Sequence, residues 1–133
     1  MTRTRTILAT VALTAAGVLV MPASPAAAVP YCDIALVWQN AYVPGESASL
    51  RPNCMMAQGA GPNGAVQNLQ YSLRECHHMT IATDGEFGPQ TKRVLTAVQS
   101  SLGIAADGVY GPQTARAMSH RIVGGGGCKR ITF

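Results

Sequence analysis

The sequence predicts a mainly α fold: three short helices closing one core, flanked by a disulfide-tied N-terminal arm and a glycine-rich C-terminal tail with room for short strands. Three observations lead there. The octapeptides Asp84-Gly85-Glu86-Phe87-Gly88-Pro89-Gln90-Thr91 and Asp107-Gly108-Val109-Tyr110-Gly111-Pro112-Gln113-Thr114 agree at six of eight positions and lie 23 residues apart. Asp-Gly makes a turn whose second residue takes positive φ, an aromatic follows, and Gly-Pro sets up a helix whose first residue needs no N–H donor. Apolar residues then recur at helical spacing in three segments, and four cysteines bracket them.

Taken in order, residues 1–28 read as a secretory signal. Arg3 and Arg5 precede a 14-residue apolar run from Ile7 to Val20, and Ala26-Ala27-Ala28 offers a small-x-small cleavage site. The run is shorter than the roughly 20 residues of a membrane span. Cys32 lacks the small-residue lipobox before it, so release rather than anchoring is expected, with no stable membrane insertion. Residues 29–63 form an arm that holds Trp38 and Tyr42. Its Pro44-Gly45-Glu46-Ser47 turn separates two short stretches, of which Ala48 to Met56 suits an irregular strand.

The helical domain spans residues 64–123. Helix one runs from about Gly64 to Glu75 with Val66, Leu69 and Leu73 on one face. Helix two, about Pro89 to Leu102, places Val94, Val98 and Leu102 at four-residue spacing, with Gly103 as its left-handed cap. Helix three, about Pro112 to Ile122, carries Ala115, Met118 and Ile122. In the tail, residues 124–133, Gly124 to Gly127 ends the helix and Cys128 to Phe133 suits a short returning strand.

Cleavage after residue 28 leaves 105 of the 133 residues, enough for one domain with a modest core. Formal charge falls from +4 to +2, and no Lys/Arg cluster exceeds the pairs Lys92-Arg93 and Lys129-Arg130, which argues against nucleic acid as a partner. Cys32, Cys54, Cys76 and Cys128 all lie past the cut, so two disulfides are the expectation in an oxidising compartment. Three connectivities are open. Cys32–Cys54 with Cys76–Cys128 is favoured, because the first ties the arm to itself and the second staples the end of helix one to the tail.

Val66-x-x-Leu69-Gln70-x-x-Leu73, the two cassettes, and Val98-Gln99 with Gly103 together make the segment from Val66 to about Ile122 resemble the peptidoglycan-binding domain of bacterial cell-wall hydrolases. Met56 and Gly59 fit that family's glycine-containing lead-in with about one extra residue, and Val98 stands where the family commonly has Phe. The resemblance implies a compact three-helix bundle and a secreted or wall-associated, non-catalytic protein that binds peptidoglycan as a monomer. It implies no cofactor and no metal. Peptidoglycan offers sugar faces and amides, which nominates Tyr110, Gln113, Phe87 and Gln90 as contacts, with core or capping as the competing role for each.

Other candidate chemistries are thin. Adjacent His77 and His78 lack a His-x-x-x-His or carboxylate partner for zinc, and His120 has no acidic neighbour on its helix. Cys76 beside His77 could be a nucleophile only if unpaired. The glycine run lacks the Lys-Ser/Thr of a phosphate loop. Asp84-Gly85 and Asp107-Gly108 read as structural Asx turns. The alternative function is a protein-interaction or inhibitor module for a secreted enzyme, contacting it through the arm around Trp38.

Overall fold

The computed structural model describes residues 22–24 and 27–133, so the apolar run expected at residues 7–20 lies outside the described residues. The chain forms β1 (Ile34–Trp38), β2 (Ala41–Gly45), α1 (Gly64–Cys76), α2 (Pro89–Ser101), α3 (Pro112–Ala117), β3 (His120–Arg121) and β4 (Cys128–Lys129). The three helices are present, together with two antiparallel pairs, β1 with β2 and β3 with β4.

The arm differs from expectation. Its two strands are Ile34–Trp38 and Ala41–Gly45, joined by Gln39 and Asn40 at φ +50° and +64°, the positive-φ pair whose twist suits a two-residue hairpin. Pro44 and Gly45 therefore end β2 rather than form the turn, and residues 48–56 contribute only isolated bridges, Glu46 to Arg51, Tyr31 to Met55 and Met56 to Tyr110. Alternation decides which face is buried: Ile34, Leu36 and Trp38 turn inward, while Ala41 and Val43 are sealed beneath them with Ile131.

The main core is shared by the arm and the helices. Cys32, Cys54 and Met56 pack with Val66, Leu69 and Leu73 of α1, Leu95 and Val98 of α2, Ala115 and Met118, and the two cassette aromatics, Phe87 and Tyr110. Burying each large apolar side chain is worth about 2 kcal/mol, so Phe87 and Tyr110 are substantial contributors. Asn63 caps α1 by accepting from the Val66 N–H at 3.0 Å. Pro89 and Pro112 begin α2 and α3, whose caps Gly88 and Gly111 offer no side chain.

Two helical expectations need correction. The fully buried face of α2 is Thr91, Leu95, Val98 and Gln99; of the expected stripe Val98 is buried and Val94 and Leu102 pack half-buried at the edge of the core, because two polar side chains turn inward and shift the centre of the face. Helix three stops at Ala117: Met118 is extended (ψ 161°), and His120–Arg121 leaves to pair with Cys128–Lys129. The reason lies in the tail, which the Cys76–Cys128 disulfide pins to the end of α1. The other disulfide joins Cys32 to Cys54. Both are the favoured pairs.

Candidate functional site

The two cassettes fold into equivalent loops, each clamped by a buried glutamine from the preceding helix. At the first, Gly85 adopts φ +80°, and the Asp84 carboxylate accepts from the Glu86 N–H at 3.0 Å and from Gln70 Nε2 at 2.9 Å. Gln70 Oε1 in turn accepts from the Gly85 N–H at 2.8 Å, and its Nε2 also reaches the Glu86 carbonyl and Thr91 Oγ1. The second loop repeats this. Gly108 sits at φ +71°, Asp107 accepts from Val109 N–H and Gln99 Nε2, and Gln99 Oε1 accepts from Gly108 N–H at 2.9 Å. Gln99 Nε2 completes the set on the Val109 carbonyl and Thr114 Oγ1.

These hydrogen bonds hold the Asp84 carboxyl below its ordinary range, the Glu86 N–H contributing most. Asp84 and Asp107 are thus loop-forming residues, as their Asx-turn reading has it. The sequence quotes Gln70, Gln99, Thr91 and Thr114 only as pattern matches. Thr91 and Thr114 hold the same place in each repeat, but Gln70 precedes its Asp by 14 residues and Gln99 by 8, so the repeat signals only the threonine half of the clamp.

Phe87 and Tyr110 do not face solvent. Their relative exposures are 1% and 0%, so neither ring can meet a polymer, and their nomination as ligand contacts gives way to the core role. An aromatic between a turn and a helix is drawn inward because the loop brings it over the apolar faces of α1 and α2. Gln90 and Gln113 are exposed, and Gln90 Oε1 lies 3.4 Å from the Ala82 N–H. The structure does not bring these four side chains into one groove.

A groove lies elsewhere, on the lead-in loop beside the first cassette. One cleft of about 280 Å³ is lined by Gln58–Pro62 and Glu86–Gly88. A second of about 450 Å³ continues it past Ala57 and Asn63 to Asp33 and Tyr31, sharing Gln58, Gly59, Ala60 and Gly61. The loop is held between the two cassettes by main-chain bonds: Met56 and Tyr110 exchange two at 2.8 Å, Gly59 N–H donates to Phe87 O, and Phe87 N–H donates to Ala60 O. Tyr31 is 69% exposed at the far end, an aromatic available to a sugar face that sequence reading missed.

The remaining candidates are accounted for by packing. Trp38 donates its indole N–H to the Thr132 carbonyl at 3.0 Å and is half-buried against the tail. His77 Nε2 accepts from the Ser119 N–H at 3.1 Å, and Cys76 is paired. Among the described residues no three His, Cys, Asp or Glu side chains gather as a metal site, and no helix is long and apolar enough to cross a membrane.

His120 is buried with Nε2 2.8 Å from the Ala115 carbonyl, which makes Nε2 the protonated nitrogen of the neutral ring, and Nδ1 has no partner. Burial pushes its pKa down to about 4 from the ordinary 6.5. The folded state therefore binds fewer protons than the unfolded one between those values. Stability is complete above pH 6.5 and falls as pH drops toward 4, by about 3 kcal/mol in all. Burial lowers His77 in the same direction. Urea unfolding at stepped pH should show this slope, and His120→Gln should flatten most of it; a slope unchanged by that substitution would assign the effect to other groups.

Residues 62–118 match the family model of the peptidoglycan binding domain. This segment is similar to that family. The match starts at the end of the lead-in loop, takes in α1, both cassettes and α2, and ends just after α3. The hairpin, the whole Cys32–Cys54 disulfide, Cys128 and the tail lie outside it. No curated protein and no solved structure matches the chain significantly.

Proposed function

We propose that the protein is a secreted, non-catalytic module that binds peptidoglycan, and that the groove along Gln58–Pro62, from Glu86 to Tyr31, makes the contact. The family match over residues 62–118 carries the peptidoglycan reading. The signal-like start of the chain and the two disulfides support export. Main-chain groups of a glycine-containing loop and the Gln58 amide suit the amides of the polymer, while Tyr31 suits a sugar face. One shallow site binds weakly, but a repetitive polymer rebinds it, so retention exceeds single-site affinity.

Co-sedimentation with insoluble peptidoglycan tests this. The mature oxidised protein should pellet saturably, Tyr31→Ala and Gln58→Ala should weaken pelleting several-fold, and Tyr110→Phe should match wild type. Wild-type protein remaining in the supernatant would refute wall binding. Loss of pelleting in Tyr110→Phe at retained folding would refute the placement of the groove.

A further inference from the structure

The hairpin lies outside the family segment, and where it crosses α1 a separate cleft of about 300 Å³ opens, bounded by Tyr42 on β2, by Gln67, Asn68 and Tyr71 on α1, and by Arg121 on β3. Residues 64, 67, 68 and 71 share one stripe of α1, which sets the Gln67, Asn68 and Tyr71 side chains along its floor beside the bare backbone of Gly64.

Asn68 is the anomaly in it. The residue is 4% exposed, yet neither its Oδ1 nor its Nδ2 has a hydrogen-bond partner. A buried primary amide left unpaired costs stability, and native proteins rarely leave one without a reason. A side-chain amide presents an acceptor oxygen and N–H donors, so it can accept from a peptide N–H or donate to a peptide carbonyl.

Arg121 supplies the second element. Its guanidinium lies 4.4 Å from the Tyr71 ring centre and 5.2 Å from that of Tyr42. Glu75 stands 3.5 Å from Arg121 Nε, an ion contact but not a hydrogen bond, since that nitrogen is otherwise unpartnered. The other Glu75 oxygen is 3.5 Å from Arg74. Two arginines thus share one carboxylate, which leaves a local excess of positive charge between two aromatic walls.

We propose that this cleft is a second binding site, which takes a peptide C-terminus: Asn68 pairs with the last amide, Arg121 with the terminal carboxylate, and the tyrosine rings cover the aliphatic part between them. If the wall-binding reading holds, on which the source of the ligand rests, that source is the free end of a peptidoglycan stem peptide. Tyr42 and Tyr71 are both half-buried at the surface, so rotation of a ring opens the way to the Asn68 amide.

The test follows the Asn68 side-chain amide by NMR during titration with N-acetyl-alanyl-alanine, in L,L and D,D forms, with the C-terminally amidated dipeptide and chitotriose as comparisons. One dipeptide form should shift that signal saturably, and amidation should weaken it at least about tenfold. Asn68→Leu should lose dipeptide binding while its melting temperature stays level or rises, because an unpaired buried amide is replaced by an apolar group of similar size. Arg121→Gln, a second variant that leaves Asn68 in place, should lose the preference for carboxylate over amidated ligand. No shift with any probe, or a shift with chitotriose alone, overturns the proposal. Peptidoglycan pelleting separates the two readings: unimpaired pelleting with no dipeptide binding sinks this site and spares the wall reading. Dipeptide binding without pelleting does the reverse.

Discussion

Gln99→Ala is expected to cost the fold about 3–5 kcal/mol, in a protein whose whole stability lies in the range of about 5–15 kcal/mol. The side chain is fully buried and touches Asp107, Gly108 and Val109 of the second loop and Thr114 at the start of α3. Asp107 is exposed and can turn to water, but the Gly108 N–H is buried and has no substitute. Each buried group orphaned in this way costs about 1–3 kcal/mol, and the cavity adds to it. Gln70→Ala should behave alike at the first loop, where its partners are equivalent.

Gln99→Glu separates hydrogen bonding from shape. It keeps the acceptor for Gly108 but turns the donor into a charge facing the Asp107 carboxylate and the Val109 carbonyl. Destabilisation at pH 7 should be as large, and protonating the introduced carboxyl in acid should recover part of it relative to wild type. Urea unfolding read by circular dichroism measures both. A loss below about 1 kcal/mol for Gln99→Ala would mean that the Asx turn holds the loop unaided.

Removing the Cys76–Cys128 disulfide, by Cys76→Ala with Cys128→Ala, is expected to cost about 4 kcal/mol. The bridge spans 52 residues, and loop-closure entropy grows with the logarithm of that length. The Cys32–Cys54 bridge spans 22 residues and should contribute about 3 kcal/mol. The longer bridge also has a local task. The β3–β4 ladder is two residues long on each side, too short to stand alone, and behind it Ile131 fills the smaller core while Thr132 accepts from Trp38. Without the staple the tail should undock, giving hydrogen-exchange protection losses at residues 128–133 and a changed Trp38 emission. A double variant that keeps both signals would show that Ile131 and the Trp38–Thr132 bond hold the tail by themselves.

What the sequence determined unaided is what rests on neighbours along the chain. The two Asp-Gly turns, the Gly-Pro helix starts and the core stripe of α1 depend on residues within a few positions of one another, so their chemistry is legible in order. The cysteine pairing was favoured but left open among three connectivities by sequence, and the fold decided it by bringing Cys32 to Cys54 and Cys76 to Cys128. Tertiary structure decided the rest. Gln70 and Gln99 sit on helices as ordinary polar residues until a loop 14 or 8 positions away folds back onto them, and the inward turn of Gln99 and Thr91 shifts the centre of the buried face of α2. The hairpin turn at Gln39-Asn40 carries no glycine to announce it, and α3 ends early because a distant disulfide draws the chain into β3. Phe87 and Tyr110 could have faced either way by sequence; folding over two helices buried both. The grooves at Tyr31 and at Asn68 exist only where the arm meets the family domain, a junction set by packing between segments far apart in sequence.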